Sequence, residues 1–175
     1  MIISIKPLSQ VTLELAPLLK NFDCGVPFLN QFARKKLVKR HQQDLHKALL
    51  ALTDSAIAGY ATTKTNILVC SETVAEIAKT TSLPTQIPTL SLEQIATDLR
   101  FQRQGVGSLL LKEVLSIVVK VSEQTGVYGL HLWSHPDSVA FYEKLGFTSL
   151  QRETRAGLEL TLMFLSAATI RAAIN

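Results

Sequence analysis

A chain of 175 residues, 47% hydrophobic and 18% charged, is long enough for one domain with a substantial core, and its composition excludes a disordered or fibrous chain. A net charge of +4 suits a polyanionic ligand without demanding one. Two cysteines, Cys24 and Cys70, make neither a C-x-x-C pair nor a disulfide framework and read as reduced thiols.

The stretch Met1 to Pro7 lacks the charged segment and long apolar core of a secretory signal. No apolar run approaches the roughly 20 residues of a spanning helix. The expectation is a single domain over residues 1–175, cytoplasmic and with no membrane partner. Ile2 to Ile5 reads as a short strand broken at Pro7, and Ser9 to Lys20 as a helical or irregular piece. Phe22-Asp23-Cys24-Gly25 punctuates the chain, and Pro27 suits the first turn of a helix. From Val26 to about His41 the apolar residues Phe28, Leu29, Phe32, Leu37 and Val38 recur at helical spacing. That helix carries Arg34, Lys35, Lys36, Lys39, Arg40 and His41 with no acid before Asp44. Such a run is either a solvated face or a wall that holds nucleic-acid phosphate.

Lys47 to Thr53 and Ala56 to Thr63 flank Asp54-Ser55 as an antiparallel hairpin. Residues 64–88 read as a loop bordering a cleft, with a short helix near Val74 to Lys79. Thr89 to Thr97 reads as the central strand, and Ser108 to Ser122 as a mostly buried helix with a narrow polar stripe. Val127 to Trp133 is the next strand, Ser138 to Lys144 a short helix stopped at Gly146. Phe147 to Arg152 and Leu158 to Leu165 close the sheet, and Ala167 to Ile174 is a helical tail.

Between the central strand and the long helix lies Gln102-Arg103-Gln104-Gly105-Val106-Gly107-Ser108. Its glycines remove Cβ atoms where a diphosphate would touch the backbone, and the first-turn amides lack partners within the helix. The alternative is a helix start whose glycines only turn the chain. Gln102-x-x-Gly105-x-Gly107 resembles the Q/R-x-x-G-x-G/A signature of the GNAT N-acetyltransferases. Ser138-Val139-Ala140-Phe141-Tyr142-Glu143-Lys144-Leu145-Gly146-Phe147 resembles the family's A-x-x-F-Y-x-x-x-G-F element. Phe22 to Gly25 followed by a basic helix resembles the opening of one branch, the toxins of toxin–antitoxin pairs that acetylate aminoacyl-tRNA.

The resemblance implies an α/β GNAT fold, a mixed and mostly antiparallel sheet of about six or seven strands with about four flanking helices. The central strand and the Tyr128–Trp133 strand would be splayed at the acetyl-CoA site. It implies backbone contacts to acetyl-CoA at Ile95, Ala96 and Thr97, one amide acting as an oxyanion donor. It implies further cofactor contacts at Gln102, Arg103, Gln104, Gly105, Val106, Gly107, Ser108 and Phe141. Tyr142 matches the tyrosine that protonates the leaving thiolate; outside that motif it would be a packing tyrosine. Lys35, Lys36, Lys39 and Arg40 fall on the tRNA side. A separately encoded antitoxin and a homodimer come with the branch.

Glu93 reads as a general base or as an ion-paired strand residue. An α-amine with pKa about 8 needs no base, whereas a lysine at about 10.4 does. His41, His46, His131 and His135 have no ligand spacing, so no metal is expected; His135 is a substrate contact or an exposed loop residue. Leu92-Glu93-Gln94-Ile95-Ala96-Thr97-Asp98 departs from the toxin pattern L-G-R-L-A-V-D, replacing a basic residue with Gln94 and adding an acid. Two other functions stay open: a GNAT enzyme acting on a small-molecule or protein amine, and a non-catalytic CoA-binding module.

Overall fold

The computed structural model describes residues 2–69, 71 and 82–174; Cys70 and the helix expected near Val74 to Lys79 lie outside them. Among the described residues the strands are β1 (Ser4–Pro7), β2 (Lys47–Leu52), β3 (Ile57–Val69), β4 (Gln86–Thr97), β5 (Gly129–Ser134), β6 (Thr148–Arg155) and β7 (Leu158–Ser166). The helices are α1 (Leu15–Lys20), α2 (Pro27–Lys35), α3 (Leu37–Gln42), α4 (Val106–Ser122), α5 (Val139–Lys144) and α6 (Ala167–Ile174). Strand order is β1-β2-β3-β4-β5-β7-β6. β4 and β5 run parallel, while β1·β2, β2·β3, β5·β7 and β6·β7 are antiparallel. The mixed, mostly antiparallel sheet agrees with the expected fold class, with six helices described rather than about four.

Contacts divide the chain into two units, Met1–Lys64 with Glu93–Val114, and Thr65–Leu92 with Leu115–Asn175. In the first, β2 is buried at every position but Lys47, which is why Ala48-Leu49-Leu50-Ala51-Leu52 reads as a continuous apolar run. Phe22, Leu37, Leu50, Ile57 and Tyr60 form its core, with Tyr60 edge-on to Phe22 at 5.5 Å and stacked on Phe32 at 6.4 Å. Gly59 admits β3 to this core: a Cβ there would stand 2.7 Å from the Ala96 carbonyl oxygen and 3.1–3.2 Å from Leu110 and Val106.

The single helix expected from Val26 to His41 is instead two, broken at Lys36 (φ −123°, ψ −27°). Phe32 and Leu37 are five positions apart, out of phase for one helical face, and the break lets both reach the core. Phe28, counted with the apolar face, is 66% exposed. β1 includes Pro7, paired opposite Leu49 at the end of an edge strand, where its missing N–H is tolerated. α4 begins at Val106 rather than Ser108, because the Leu109 amide already donates to the Gly105 carbonyl (3.0 Å).

In the second unit, Leu68, Ile87, Leu150, Leu162 and Phe164 form the core. The expected 64–88 loop is largely strand at its ends. β3 runs through Thr65-Asn66-Ile67-Leu68-Val69 and β4 starts at Gln86, since Leu68 and Ile87 both bury. β5 begins at Gly129, two residues later than expected, where a Cβ would lie 2.3 Å from the Leu165 carbonyl oxygen. The β4·β5 ladder runs from Thr89↔Gly129 to Leu92↔Leu132, and β4 continues to Thr97. No helix among the described residues is long and apolar enough to cross a membrane.

Candidate active site

In the first unit the connection from β4 to α4 is tied to the Phe22–Gly25 turn. Asp98, 1% exposed, accepts the Asp23 amide (3.1 Å) on Oδ2 and the Arg100 amide (3.0 Å) on Oδ1. The Arg100 guanidinium closes on both carboxylate oxygens at 2.8 and 2.9 Å. Burial pushes this carboxyl up, but the Arg100 guanidinium and the two amides outweigh it and hold it below the usual aspartate value. Nothing in the motif spacing marks Asp98 as a structural group, though an Asp ending a strand ahead of a turn is a capping signal.

Gln102, expected at the cofactor, turns its amide inward and donates to the Cys24 carbonyl (3.2 Å) and the Thr97 carbonyl (3.1 Å). The Leu99 amide donates to the Asp23 carbonyl at 2.8 Å. Gln104 donates to the Arg100 carbonyl (2.9 Å). Arg103 (φ 59°) and Gly105 (φ 81°) turn the exposed loop into α4. A Cβ on Gly105 would meet nothing within 4 Å, and one on Gly107 only Thr97 Oγ1 at 3.7 Å. Protein packing thus gives Gly107 no reason to lack a side chain; the room it leaves is a cradle beside the amides of Val106, Gly107 and Ser108, which precede the first intrahelical bond. Ala96 is buried and Ile95 and Thr97 are partly buried at the end of β4.

Glu93 forms an ion pair with Lys64 at 3.0 Å, as the paired reading of that residue expects. The Tyr60 hydroxyl lies 2.9 Å from Gln94 Oε1 and 3.1 Å from the Leu29 carbonyl, so Gln94 serves the core. Burial pushes the Cys24 thiol up, which suits an inert sulfur rather than a nucleophile. Lys35, Lys36, Lys39 and Arg40 are all exposed on α2, α3 and the break between them, with Arg40 5.7 Å from the centre of the Phe32 ring. Arg34 donates to the Phe22 carbonyl (2.8 Å).

Tyr142 and Phe141 belong to the second unit. Tyr142 is 6% exposed between Phe141 (5.2 Å) and Phe147 (5.5 Å), both edge-on. Its spacing to Phe147 follows from the turn: Gly146 takes φ 91°, donates to Glu143, and lets the Phe147 amide return to the Tyr142 carbonyl at 3.1 Å. Burial pushes the phenol up to about 12. Among the described residues its hydroxyl has no hydrogen-bond partner. Phe141 is 40% exposed. His135 accepts the Asp137 amide and lies 3.3 Å from its carboxylate in an exposed loop, and His131 is buried 2.9 Å from Thr89 Oγ1. No group of three His, Cys, Asp or Glu side chains is gathered for a metal among the described residues.

The chain is similar to several known proteins. A protein of Mycobacterium tuberculosis described as a tRNA-acetylating toxin is 22% identical over 128 residues, covering 73% of this chain and 76% of that protein. The structure of AtaT complexed with acetyl-methionyl-tRNAfMet superimposes with a TM-score of 0.82 at 23% identity, covering 99% of each chain. A tyrosine-to-phenylalanine mutant of the AtaT toxin, bound to the C-terminus of the antitoxin AtaR and acetyl-CoA, gives 0.77 at 22% identity over 99% of this chain and 98% of that one. The acetyltransferase (GNAT) domain family matches residues 23–167, from the turn that Asp98 holds to the first residue of the last helix, and the chain belongs to that family.

Proposed function

We propose that this chain is an acetyl-CoA-dependent N-acetyltransferase that acetylates the α-amine of aminoacyl-tRNA, halts translation, and is countered by a separately encoded antitoxin. The observation that carries the substrate class is the exposed cationic ridge of Lys35, Lys36, Lys39 and Arg40, in the same unit as the glycine cradle. The tRNA-acetylating activity named for the mycobacterial relative supports the same reading.

When bound, acetyl-CoA supplies an acetyl group activated as a thioester. The amides of Val106, Gly107 and Ser108 would hold its diphosphate, with Arg103 and Gln104 at the rim, while Gln102 ties the loop to the Cys24 and Thr97 carbonyls. The backbone of Ile95, Ala96 and Thr97 offers donors for pantetheine and for the developing oxyanion. Phe141 presents an exposed ring beside Tyr142. Tyr142 would hold a proton at Oη for the departing sulfur of bound acetyl-CoA, and the proton given up by the acetylated amine would restore the phenol. No residue is needed to deprotonate the nucleophile, because an α-amine with pKa about 8 is already partly neutral, and Glu93 is occupied by Lys64.

A cytoplasmic location and a homodimer belong to this reading. Exposed Leu145, Leu158 and Ile174 in the C-terminal region support the dimer. The test is acetyl transfer from labelled acetyl-CoA to total charged tRNA, with Tyr142→Phe in parallel. Label on the aminoacyl ester, absent in the variant, is expected. Tight acetyl-CoA binding with unlabelled tRNA would overturn the substrate assignment and turn attention to free amines and protein lysines.

A further inference from the structure

Along the outer face of α2 runs a groove of about 870 Å³, lined by Asp23, Gly25, Phe28, Gln31, Arg34 and Lys35. Its most unusual wall is Phe28, a large aromatic side chain left 66% exposed on a helix whose neighbouring Phe32 is buried. Gln31 and Lys35 follow Phe28 at three- and seven-residue spacing, so ring, amide and ammonium stand on one face.

The groove's polar groups divide into spent and available. Asp23 Oδ1 accepts the Gly25 amide (2.8 Å) and Asn30 Nδ2 (2.6 Å), while Asn30 Oδ1 accepts the Cys24 amide (2.8 Å). Those bonds hold the turn, and the second Asp23 carboxylate oxygen leaves a negative charge at the turn end of the groove, opposite in sign to the Arg34–Lys35 end. Arg34 gives one nitrogen to the Phe22 carbonyl. Gln31 and Lys35 have no hydrogen-bond or ion-pair partner among the described residues. What remains is an aromatic face, a carboxamide with donor and acceptor, and cationic nitrogens continuing toward Lys36, Lys39 and Arg40.

We propose that this groove seats the unpaired terminal nucleotide of the RNA substrate, the base stacked on Phe28, its edge read by Gln31, and the adjoining phosphate held by Lys35 and Arg34. Stacking on an exposed ring with amide readout of a base edge is how unpaired nucleotides are recognised, and the flanking cations suit the phosphates that follow. An acidic peptide would use the cations but leaves the ring and carboxamide without a role. The inference rests on the RNA reading of the function.

The experiment uses an RNA stem with one unpaired terminal 2-aminopurine, whose fluorescence is quenched on stacking. The wild-type chain is expected to quench it, and Phe28→Ala to abolish the quench and weaken binding about tenfold, the range of one stacked base. Phe28→Tyr should retain both, whereas Phe28→Leu should retain neither. Unchanged melting temperatures exclude misfolding, and Phe28 is exposed enough to allow it. Equal binding of a blunt stem, or full quenching by Phe28→Leu, would overturn the assignment. So would a glutamate-rich peptide that binds the wild type but not Phe28→Ala, without any quench of the RNA. Acetyl transfer to charged tRNA is measured alongside. If the wild type fails there, the enzymatic reading fails; if it succeeds and Phe28→Ala keeps its KM, only the groove assignment fails.

Discussion

The carboxylate of Asp98 accepts the backbone amide of Asp23 at 3.1 Å, across 75 positions of sequence, while the Asp23 carbonyl accepts the Leu99 amide at 2.8 Å. This reciprocal pair fastens the loop that enters α4 to the turn that enters α2. Leu99 strengthens the seam: its Cδ2 lies 3.2 Å from where a Cβ on Gly25 would stand, and Gly25 itself holds φ 83°. The cradle and the α2 groove therefore share one support.

Asp98→Asn keeps one acceptor and removes the charge on which both Arg100 bonds depend. Removing a charge-assisted bond from a buried site costs about 1–3 kcal/mol. Denaturant unfolding should show that decrease, with weaker acetyl-CoA binding because the loop is no longer anchored. A variant as stable as the wild type would mean the seam contributes nothing.

Gly107→Ala separates stability from function. Its Cβ has room, so the fold should be unchanged or gain up to about 1 kcal/mol from better helix propensity. Acetyl-CoA affinity should nevertheless fall about tenfold by calorimetry, because the methyl group fills the cradle. Gly105→Ala should instead cost about 1–2 kcal/mol, since φ 81° is left-handed. Undiminished affinity in Gly107→Ala would remove the diphosphate from this helix start.

Tyr142→Phe preserves the ring contacts to Phe141 and Phe147 and removes only the hydroxyl. Turnover should drop about 10²- to 10⁴-fold with the melting temperature unchanged. Because burial raises the phenol to about 12, it stays protonated at every accessible pH. The wild-type kcat/KM should climb as the α-amine becomes neutral near pH 8, then hold level to about pH 10. A fall between pH 9 and 10 would point to a different acid.

Two acid windows follow from groups whose folded pKa values are depressed. Burial lowers His41 and His46, and His41 Nδ1 accepts the Ala48 amide at 3.1 Å, which only the neutral ring can do. Their stabilisation is complete above the ordinary histidine value and fades as pH falls through the folded one. Asp98 behaves alike near and below the ordinary aspartate value. The melting temperature should decline first below about pH 6.5, with faster hydrogen exchange at Ala48, and again below about pH 4. His41→Gln should blunt the first decline and leave the second.

Charge reversal at Lys35, Lys36, Lys39 and Arg40 should abolish tRNA acetylation while sparing acetyl-CoA binding. The slope of log affinity against log salt should shrink by about 0.7–0.9 for each phosphate the ridge no longer neutralises. Arg40→Glu also gives up its position over Phe32 and should cost about 0.5–1 kcal/mol of stability. Acetylation that survives all four reversals would remove the ridge from the substrate path.

The two turns were legible in the sequence because glycine marks them: Gly105 and Gly146 both hold positive φ, and the second turn brings the Tyr142 and Phe147 rings together. The strand–loop–helix frame was readable for the same reason. The break at Lys36 was not, since no Pro or Gly marks it and only the five-residue step from Phe32 to Leu37 betrays the change of phase. The partners of Asp98 and Gln102 were hidden because hydrogen bonds across 75 and 78 positions leave no local spacing. The α2 groove leaves no mark in the sequence because Phe28 fits a helical apolar pattern, and exposure is a property of packing rather than of residue type.

Gly59 constrains how such a chain can drift. With 2.7 Å between its missing Cβ and the Ala96 oxygen, and Val106 and Leu110 closing the other sides, no substitution is accepted there first. Smaller side chains at 106 and 110 would relieve only part of this, because the closest contact is the backbone oxygen of residue 96, so a side chain at 59 requires the end of β4 itself to shift. Divergent descendants should therefore show replacement at 59 only alongside a displaced end of β4 and a rebuilt glycine loop.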